Sequence, residues 1–410
     1  MHTRDVGPRA RRRDLGAAVT ASVRDRCAIT GVGTTDFSRE SGRSVLTLAA
    51  QASLGAIRDA GLAPSDIDGI VRCEMDEALH ADVAAALGMP NVAFWASGGW
   101  AGAAPCGMVG LAVDAILAGR ATNVLVFRSL NGRSGRRFGQ GWAAGASVGG
   151  RGAYLEYLMP YGLVSPGMAY AMFARRHMIE FGTTAEHLGH IALACHARAN
   201  ENPAAQRYGH PLTMAGYLDA RMIADPLRLY DFCLETDGAA AVVVTSAERA
   251  QDGPKRAVLI RAVTQGDLPE PRLGGLWGNL LSGPLINQGG ALARRLYRDA
   301  GLGPADIDVA QIYDCFTITV LMQLEDYGFC APGEGGPFAA GGALEPGGSL
   351  PLNTSGGNLA DGYVHGMSHV VEGVRQLRGE STAPVPGAET CLVTSGIPGP
   401  GSSALILRAG

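Results

Sequence analysis

The strongest constraint on the fold is an internal repeat of eleven residues. Residues 58–68 read RDAGLAPSDID and residues 298–308 read RDAGLGPADID, so the copies differ only at their sixth and eighth positions. A glycine after a helix, then a proline and an aspartate-rich turn, is a helix stop that leads into a strand. The predicted flanking elements are the helices Leu46–Asp59 and Leu292–Asp299 and the strands Gly69–Cys73 and Val309–Tyr313. The repeat predicts a chain built from two duplicated halves.

Apolar strands alternate with helical patterns through most of the chain. The further predicted strands are Cys27–Gly33, Asn123–Arg128, Ala239–Thr245, Ala257–Gly266, Thr390–Thr394 and Ser403–Arg408. The further predicted helices are Ala104–Leu117, Met168–Phe181, Ala185–Ala199 and Phe316–Tyr327. Such alternation is typical of parallel sheets covered by helices on both faces, an α/β class. Residues of about 131–230 carry few strand signals and are predicted to form a helical insert.

The composition limits the classes of protein that the chain can belong to. Of the 410 residues, 47% are hydrophobic and 18% are charged, which favours a large packed core over disorder. The formal net charge of -4 gives no reason to expect a nucleic-acid partner. Residues 1–25 are arginine-rich without an apolar stretch, so we expect a disordered leader rather than a secretory signal. The predicted halves are residues 26–255, including the insert, and residues 256–410.

The eight cysteines are scattered and form no Cys-x-x-Cys pair, so we expect neither a zinc site nor another metal site. Without a signal peptide, reduced thiols in the cytoplasm are the default expectation. The least polar long stretch, residues 98–119, contains six glycines and Asp114, which argues against a membrane span.

Several long phrases carry a resemblance to a known family. They are RSLNGRSGRRFG (128–139), CLETDGAAAVVVTSAERA (233–250), YDCFTITVLMQLEDYGFC (313–330), GEGGPF (333–338) and NTSGGNLADGYVHGMSHVVEGVRQLRGE (353–380). With them the chain resembles the thiolase superfamily, closest to its lipid-transfer-protein branch, which is related to the sterol-carrier-protein thiolases. The resemblance implies a thiolase fold, with two duplicated βαβ-type halves in a layered α-β-α-β-α arrangement and a helical loop insertion.

The sequence departs from the thiolase pattern at each catalytic position. Gly102 stands where the nucleophilic cysteine is expected, and Cys106 lies one helical turn further along. Tyr313 opens the motif that begins with Asn or His in thiolases, and Tyr363 replaces the histidine of a Gly-His-Pro turn. Thr394-Ser395-Gly396 stands in place of the second cysteine motif. A covalent acyl-enzyme is therefore not expected.

The remaining groups suit a retro-aldol reaction, which resembling steroid side-chain-cleaving aldolases carry out with two tyrosines. The resemblance places those tyrosines at Tyr313 and Tyr363, and which is the base and which the acid stays open. A tyrosine base needs a hydrogen bond or a positive neighbour, for which His365 and Asn353 are candidates. Backbone N–H groups of the glycine-rich turns, at Gly357 and Gly396, are candidates for binding the thioester oxygen together with Asn353.

Two other functions remain open at this point: an acyltransferase with an atypical nucleophile such as Cys106, and a non-catalytic acyl-CoA-binding scaffold. Arg133, Arg136 and Arg137 are candidates for the CoA phosphates, although a solvated or dimer-contact loop is the preferred interpretation. No bound cofactor is expected, and the CoA thioester is the substrate. The resemblance also implies a homodimer and a small OB-fold, zinc-ribbon partner protein, with no nucleic acid and no membrane.

Overall fold

The computed structural model describes residues 23–135, 137, 159–266, 289–396 and 401–410. Nearly all of the predicted leader, Arg136 and the first part of the insert therefore lie outside the described residues. The strands are β1 (Cys27–Thr34), β2 (Gly69–Cys73), β3 (Phe94–Gly98), β4 (Val124–Asn131), β5 (Met222–Ala224), β6 (Leu227–Arg228), β7 (Asp237–Ser246), β8 (Val258–Gly266), β9 (Val309–Gln311), β10 (Thr390–Gly396) and β11 (Ser402–Ala409). The helices are α1 (Val45–Asp59), α2 (His80–Leu87), α3 (Ala104–Leu117), α4 (Pro166–Phe181), α5 (Ala185–Glu201), α6 (Met214–Leu218), α7 (Ala247–Ala250), α8 (Gly290–Ala300), α9 (Thr317–Asp326), α10 (Gly335–Ala340), α11 (Gly357–Ala360) and α12 (Met367–Arg378).

Nine of the strands form one hydrogen-bonded sheet in the order β3-β2-β4-β7-β1-β8-β11-β10-β9. The two halves of the sheet meet where β1 pairs with β8 through Ala28↔Leu259 and Ile29↔Val258. Outward from that junction each half has an antiparallel pair, β1 with β7 and β8 with β11, and then a parallel pair, β2 with β4 and β9 with β10. The predicted duplication is confirmed by this matching strand order.

The eleven-residue repeat folds in the same way in both halves. In each copy a glycine with positive φ ends the helix and a short 3-10 turn follows, at Pro64–Asp66 and at Pro304–Asp306. The Asp66 carboxylate accepts the N–H of Ala63 at 2.8 Å, and the Asp306 carboxylate accepts the N–H of Gly303 at 2.7 Å. The aspartates therefore set the turn by satisfying an otherwise unpaired backbone donor.

Helices and sheet halves alternate in five layers. Helices α3 and α12 contact strands of both halves and form the central layer, while α1 covers β1, β4 and β7 and α8 covers β8 and β11. Along α3 the first six residues are buried and so are three of the eight that follow, which explains why this helix is mostly apolar. The predicted α-β-α-β-α arrangement is confirmed. It places the start of α3 near the carboxyl ends of β9 and β10.

The described part of the insert is helical, as predicted, and consists mainly of α4, α5 and α6. It also contains the small β5–β6 hairpin, which the sequence analysis did not predict. Outside the insert, the sequence analysis did not predict strand β3 or helix α12. Helix α5 packs against α9, α10 and α11, so the insert contacts the second half of the chain. Within the described residues, no helix is both long and apolar enough to span a bilayer.

Candidate active site

The hydroxyl oxygens of Tyr313 and Tyr363 lie 3.0 Å apart and share a hydrogen bond. Tyr313 lies just beyond the carboxyl end of β9, where the prediction still had it within the strand. Its backbone is held on both sides, because its N–H donates to Thr394 Oγ1 at 2.9 Å and its carbonyl accepts from Gln323 Nε2 at 2.7 Å. The structure therefore brings together the two tyrosines that the sequence singled out.

The ring of Tyr313 fills the space in front of Gly102. A Cβ atom built on Gly102 would lie 2.1 Å from both Cζ and Oη of Tyr313. A Cβ on Gly366 would lie 2.8 Å from Cδ2 of the same ring, and Gly366 itself has φ +81. The phenol is thus clamped between two glycines, and a side chain at the position of the thiolase nucleophile is incompatible with it.

Tyr363 approaches from the loop between α11 and α12. Its N–H donates to Thr236 Oγ1 at 2.9 Å, and the same oxygen accepts from Gln206 Nε2 at 2.7 Å. The Tyr363 ring stands edge-on to the imidazole of His365, with the centroids 5.1 Å apart. Tyr363 is partly exposed whereas Tyr313 is 2% exposed, so Tyr363 is the more accessible of the two hydroxyl-bearing residues.

A buried ion pair supports His365, and the sequence analysis missed it. Arg128, at 2% exposure, donates from Nε to His365 Nδ1 at 3.0 Å and from Nη1 to Asp76 Oδ1 at 2.5 Å. Burial and the Arg128 charge lower the pKa of His365 well below its usual range, so the imidazole is neutral. His365 therefore cannot supply the positive charge that a tyrosine base needs.

Burial raises the pKa of both phenols well above their ordinary value. Against this effect, the Arg128 charge lowers the pKa of Tyr363. Arg128 therefore favours negative charge on Tyr363.

The carboxylate of Asp314 organises the glycine-rich turn. It accepts the N–H groups of Asn358 and Leu359 at 2.9 and 3.2 Å and lies 2.8 Å from His369 Nε2. A Cβ on Gly357 would lie 2.2 Å from Asp314 Oδ2, and Gly357 has φ +63. Glycine is needed at Gly357 so that this carboxylate can reach the start of α11.

The other predicted oxyanion-binding residues border the site in special conformations. The side-chain amide of Asn353 bonds the backbone of Ile312 at both of its polar atoms, at 2.8 and 2.9 Å, so its observed contacts position the backbone before Tyr313. Gly396, with φ +106, ends β10 opposite Ser402. Of the four non-glycine residues with positive φ among those described, Ala101, Asn353 and His365 surround the site, which is where backbone strain is commonly found.

Cys106 is a packed core thiol. It is completely buried, and burial raises its pKa to about 12. Its sulfur lies 3.4 Å from the Val393 carbonyl and accepts from Ser395 Oγ at 3.2 Å. A thiol that is neither accessible nor ionised is a poor nucleophile.

The predicted phosphate-binding arginines contact an acidic residue of the same chain. Arg137 bonds Glu235 through Nε at 2.7 Å, and Nε of Arg133 lies 3.8 Å from the same carboxylate. Their assignment to the CoA phosphates stays a prediction.

Comparison with known proteins identifies the family of the chain. The family model "Thiolase C-terminal domain-like" matches residues 286–408. The 17-hydroxy-3-oxo-4-pregnene-20-carboxyl-CoA lyase of Mycobacterium tuberculosis is 44% identical over 93% of this chain and 99% of its own length. The steroid side-chain-cleaving aldolase of Thermomonospora curvata is 42% identical over 93% and 97%.

A solved structure of the Ltp2-ChsH2(DUF35) aldolase has a TM-score of 0.89 and 41% identity, over 95% of this chain and 99% of that chain. The identity extends along almost the whole length of these relatives, which are lyases rather than acyltransferases. The chain therefore belongs to the thiolase-fold aldolases, lyases that cleave a carbon–carbon bond of CoA thioesters by a retro-aldol reaction.

Proposed function

We propose that Tyr313 and Tyr363 form the acid–base pair that cleaves a β-hydroxyacyl-CoA without a covalent acyl-enzyme. The observation that carries this proposal is the hydroxyl pair at 3.0 Å, built into the space where a thiolase nucleophile would project. The buried Cys106, with its raised pKa, argues against the acyltransferase alternative.

Tyr363 accepts the proton of the substrate β-hydroxyl, and Tyr313 protonates the α-carbon. Loss of the hydroxyl proton turns the C–O bond into a carbonyl, and the electron pair of the Cα–Cβ bond passes to the thioester as an enolate. Protonation of Cα then gives the shorter acyl-CoA, and the other product is a ketone or aldehyde. The assignment is supported by the greater accessibility of Tyr363 and by the Arg128 charge, which favours the ionised form of Tyr363.

The hydrogen bond between the tyrosines also gives the proton a route. Burial makes either phenolate unfavourable, so neither tyrosine is expected to ionise on its own. As Tyr363 accepts the substrate proton, it passes its own hydroxyl proton to Tyr313. Tyr313 then delivers its own proton to Cα, and both tyrosines finish neutral. The net change is movement of one proton from the β-hydroxyl to Cα.

We assign the binding groups as the sequence suggested except for Asn353, whose side-chain amide is bonded to the backbone of Ile312 rather than offered to the thioester oxygen. Backbone N–H groups at Gly357 and Gly396 bind the thioester oxygen as it gains charge, and Asn353 holds the neighbouring backbone in position. Arg133, Arg136 and Arg137 meet the CoA phosphates, for which Arg133 and Arg137 would exchange their contact with Glu235.

We infer a steroid-CoA substrate from the names of the relatives. The test is incubation of the chain with 17-hydroxy-3-oxo-4-pregnene-20-carboxyl-CoA, followed by chromatography of the CoA esters and of the extracted steroid. Equal amounts of propionyl-CoA and a 17-ketosteroid are expected. Cleavage of a simpler β-hydroxyacyl-CoA alone would refute the steroid assignment, and no cleavage of any such ester would favour the scaffold function.

We also propose that the chain works with protein partners. The Ltp2-ChsH2(DUF35) aldolase takes its description from two components, which supports a partner protein here. That this partner is a small OB-fold, zinc-ribbon protein rests on the family resemblance alone. For a homodimer, the support is the edge strand β3, which exposes Trp95 next to Leu79 and Trp100 on neighbouring segments. The incubation is therefore run with and without such a partner protein.

A further inference from the structure

We propose that Arg128, held by Asp76, is a positioning residue that fixes His365 as a neutral Nε2–H hydrogen-bond donor beside Tyr363. In this state the imidazole stabilises negative charge developing next to Tyr363 and takes no part in proton transfer. The inference rests on the proposed function of the tyrosine pair, and it names groups that lie outside that pair.

The tautomer follows from the hydrogen bond. A guanidinium keeps all of its protons at any pH that a protein tolerates and offers no acceptor. Because Arg128 Nε donates to His365 Nδ1 at 3.0 Å, Nδ1 must present its lone pair. A neutral imidazole then carries its proton on Nε2, and an imidazolium would set two N–H groups against each other.

The ion pair is built so that Arg128 has little freedom to move. Asp76 is itself buried and also accepts the N–H groups of Ser129 and Cys73 at 2.9 and 2.8 Å. A buried pair of this kind is weak evidence for stability, because desolvation offsets much of the attraction. Its contact with a histidine at the active site indicates a functional reason for its presence.

Several titratable groups surround Arg128 and Tyr363. Cys73 and Asp76 face Arg128 from the segment at the end of β2, and Tyr313, Cys315 and Cys233 face Tyr363 from the segments before α9 and β7. Arg128 is the cation among them, so a change at Arg128 has a distinct electrostatic effect on Tyr363.

The first test reads the tautomer directly and does not need activity. The full chain is labelled with imidazole-¹⁵N histidine, and the His365 signals are assigned by their loss in His365→Gln. We expect a neutral ring protonated at Nε2 that does not titrate between about pH 6 and 9, around the ordinary histidine range. A ring that is protonated at Nδ1, or that titrates in this range, would overturn the proposal even if the chain proved inactive.

The second test compares two buried arginine–aspartate pairs. Arg378 is the last residue of α12, and its side chain is 1% exposed and bonds Asp59 at 2.7 Å. Arg378→Lys is therefore the matched control for Arg128→Lys. Arg128→Lys keeps the charge beside Asp76 and removes the Nε donor. We expect kcat to fall about 10- to 100-fold with little change in KM, a loss typical of residues that orient a functional histidine. An equal fall in kcat for both variants at equal stability would mean a merely structural role.

The third test uses amide side chains that imitate one ring nitrogen each. Gln places an N–H near the Nε2 position, whereas Asn places its amide near Nδ1. We expect His365→Gln to keep at least ten times more activity than His365→Asn or His365→Ala, a ratio in the range reported for single hydrogen-bond donors at developing charge. Equal activity of the three variants would contradict a donor role for His365.

Discussion

At the scale of single residues, the site depends on the absence of a side chain at Gly102. A Cβ there would collide with the Tyr313 phenol, so a nucleophilic side chain and this tyrosine exclude each other. The phenol therefore differs from a thiol in two ways: it has a different acidity, and its ring fills the space that a nucleophilic side chain would need. Acyl transfer needs a nucleophile at this position, whereas retro-aldol cleavage needs proton donors and acceptors.

Gly102→Ala tests this exclusion. The added methyl group must displace Tyr313, and misplacement of a catalytic group by about 1 Å costs roughly 100-fold in rate. We expect a fall in kcat of that size with a near-unchanged circular dichroism spectrum. Gly55→Ala in α1 is the control, because its Cβ would meet its nearest neighbour at 3.5 Å, an ordinary contact. Retention of activity in Gly102→Ala would show that the tyrosine tolerates displacement.

Removal of either hydroxyl tests the pair itself. Tyr313→Phe and Tyr363→Phe are each expected to lower kcat about 10²- to 10⁴-fold, the usual contribution of general acid–base groups. The double variant should be little worse than either single variant, because the two hydroxyls act as one relay. Tyr297→Phe, which loses only a bond to the Tyr327 carbonyl, should change stability and leave the rate intact. Additive losses would argue for two independent roles.

The sequence identified the tyrosines and missed their electrostatic support. Tyr363 could be found because it occupies a recognisable place in a long motif, and Gly102 because a helix can be counted backwards. Arg128 ends an apolar strand pattern and looks like any residue at a strand end. Its partners, Asp76 and His365, are 52 and 237 positions away, and such pairing depends on the tertiary fold.

At the scale of secondary-structure elements, the two halves are joined by a charged cluster at the ends of α1 and α12. Asp59 bonds Arg378 and Lys255, each at 2.7 Å, and accepts the Val32 N–H at 2.9 Å. Burial works to raise the pKa of Asp59, but these hydrogen bonds outweigh it and hold the pKa below its ordinary value. The carboxylate thus stabilises the junction of the halves in its charged form.

Asp59→Asn is expected to lower the free energy of unfolding by about 3 kcal/mol at pH 7, because it removes the nearer counter-ion of the buried Arg378 guanidinium and leaves only Glu380, at 3.8 Å. A carboxyl with a lowered folded pKa contributes stability fully above its ordinary pKa near 4 and loses it as the pH falls through the lower folded value. The difference between the variant and the wild type, measured by urea unfolding, should therefore shrink only below about pH 4.

Asp36→Asn provides the comparison for that measurement. Its carboxylate pairs with Arg43 at 2.7 Å in an exposed position, where ion pairs contribute about 0–1 kcal/mol. A loss in Asp59→Asn no larger than in Asp36→Asn would mean that the junction does not depend on the buried pair.

Most elements were predictable because their patterns are local, and the missed ones show the limit. Helix α12 begins in a glycine-rich turn and carries the buried polar residues Ser368, His369 and Glu372. Its sequence therefore lacks the apolar pattern by which a buried helix is usually predicted. Strand β3 is short, lies at the sheet edge and alternates partly buried with exposed residues without a long apolar run. Both elements are defined by neighbours distant in sequence rather than by local propensity.

At the scale of the whole molecule, duplication extends to individual hydrogen bonds. The Asp68 carboxylate accepts the N–H groups of Thr122 and Asn123 just before β4, and the Asp308 carboxylate accepts those of Glu389 and Thr390 at the start of β10. The same turn therefore ties equivalent strands in both halves. The second half has no counterpart of β3 among its described strands, so the pseudo-symmetry breaks at the sheet edge.

That edge gives the last prediction, which concerns assembly. Trp95 is 56% exposed on β3 and stacks on His80, with the ring centroids 4.2 Å apart, so an apolar surface lies at the edge of the described sheet. If a second copy covers this edge, Trp95→Glu places a charge in the interface and should convert a dimer to a monomer in light-scattering measurements. Tyr161→Glu, on the insert, is the control because that side chain is 89% exposed and far along the chain from β3. Since the segment that joins β3 to α3 carries Gly102, the monomer should also lose activity through looser packing on Tyr313. A wild-type monomer, or a dimer that survives the Trp95 substitution, would place the interface elsewhere.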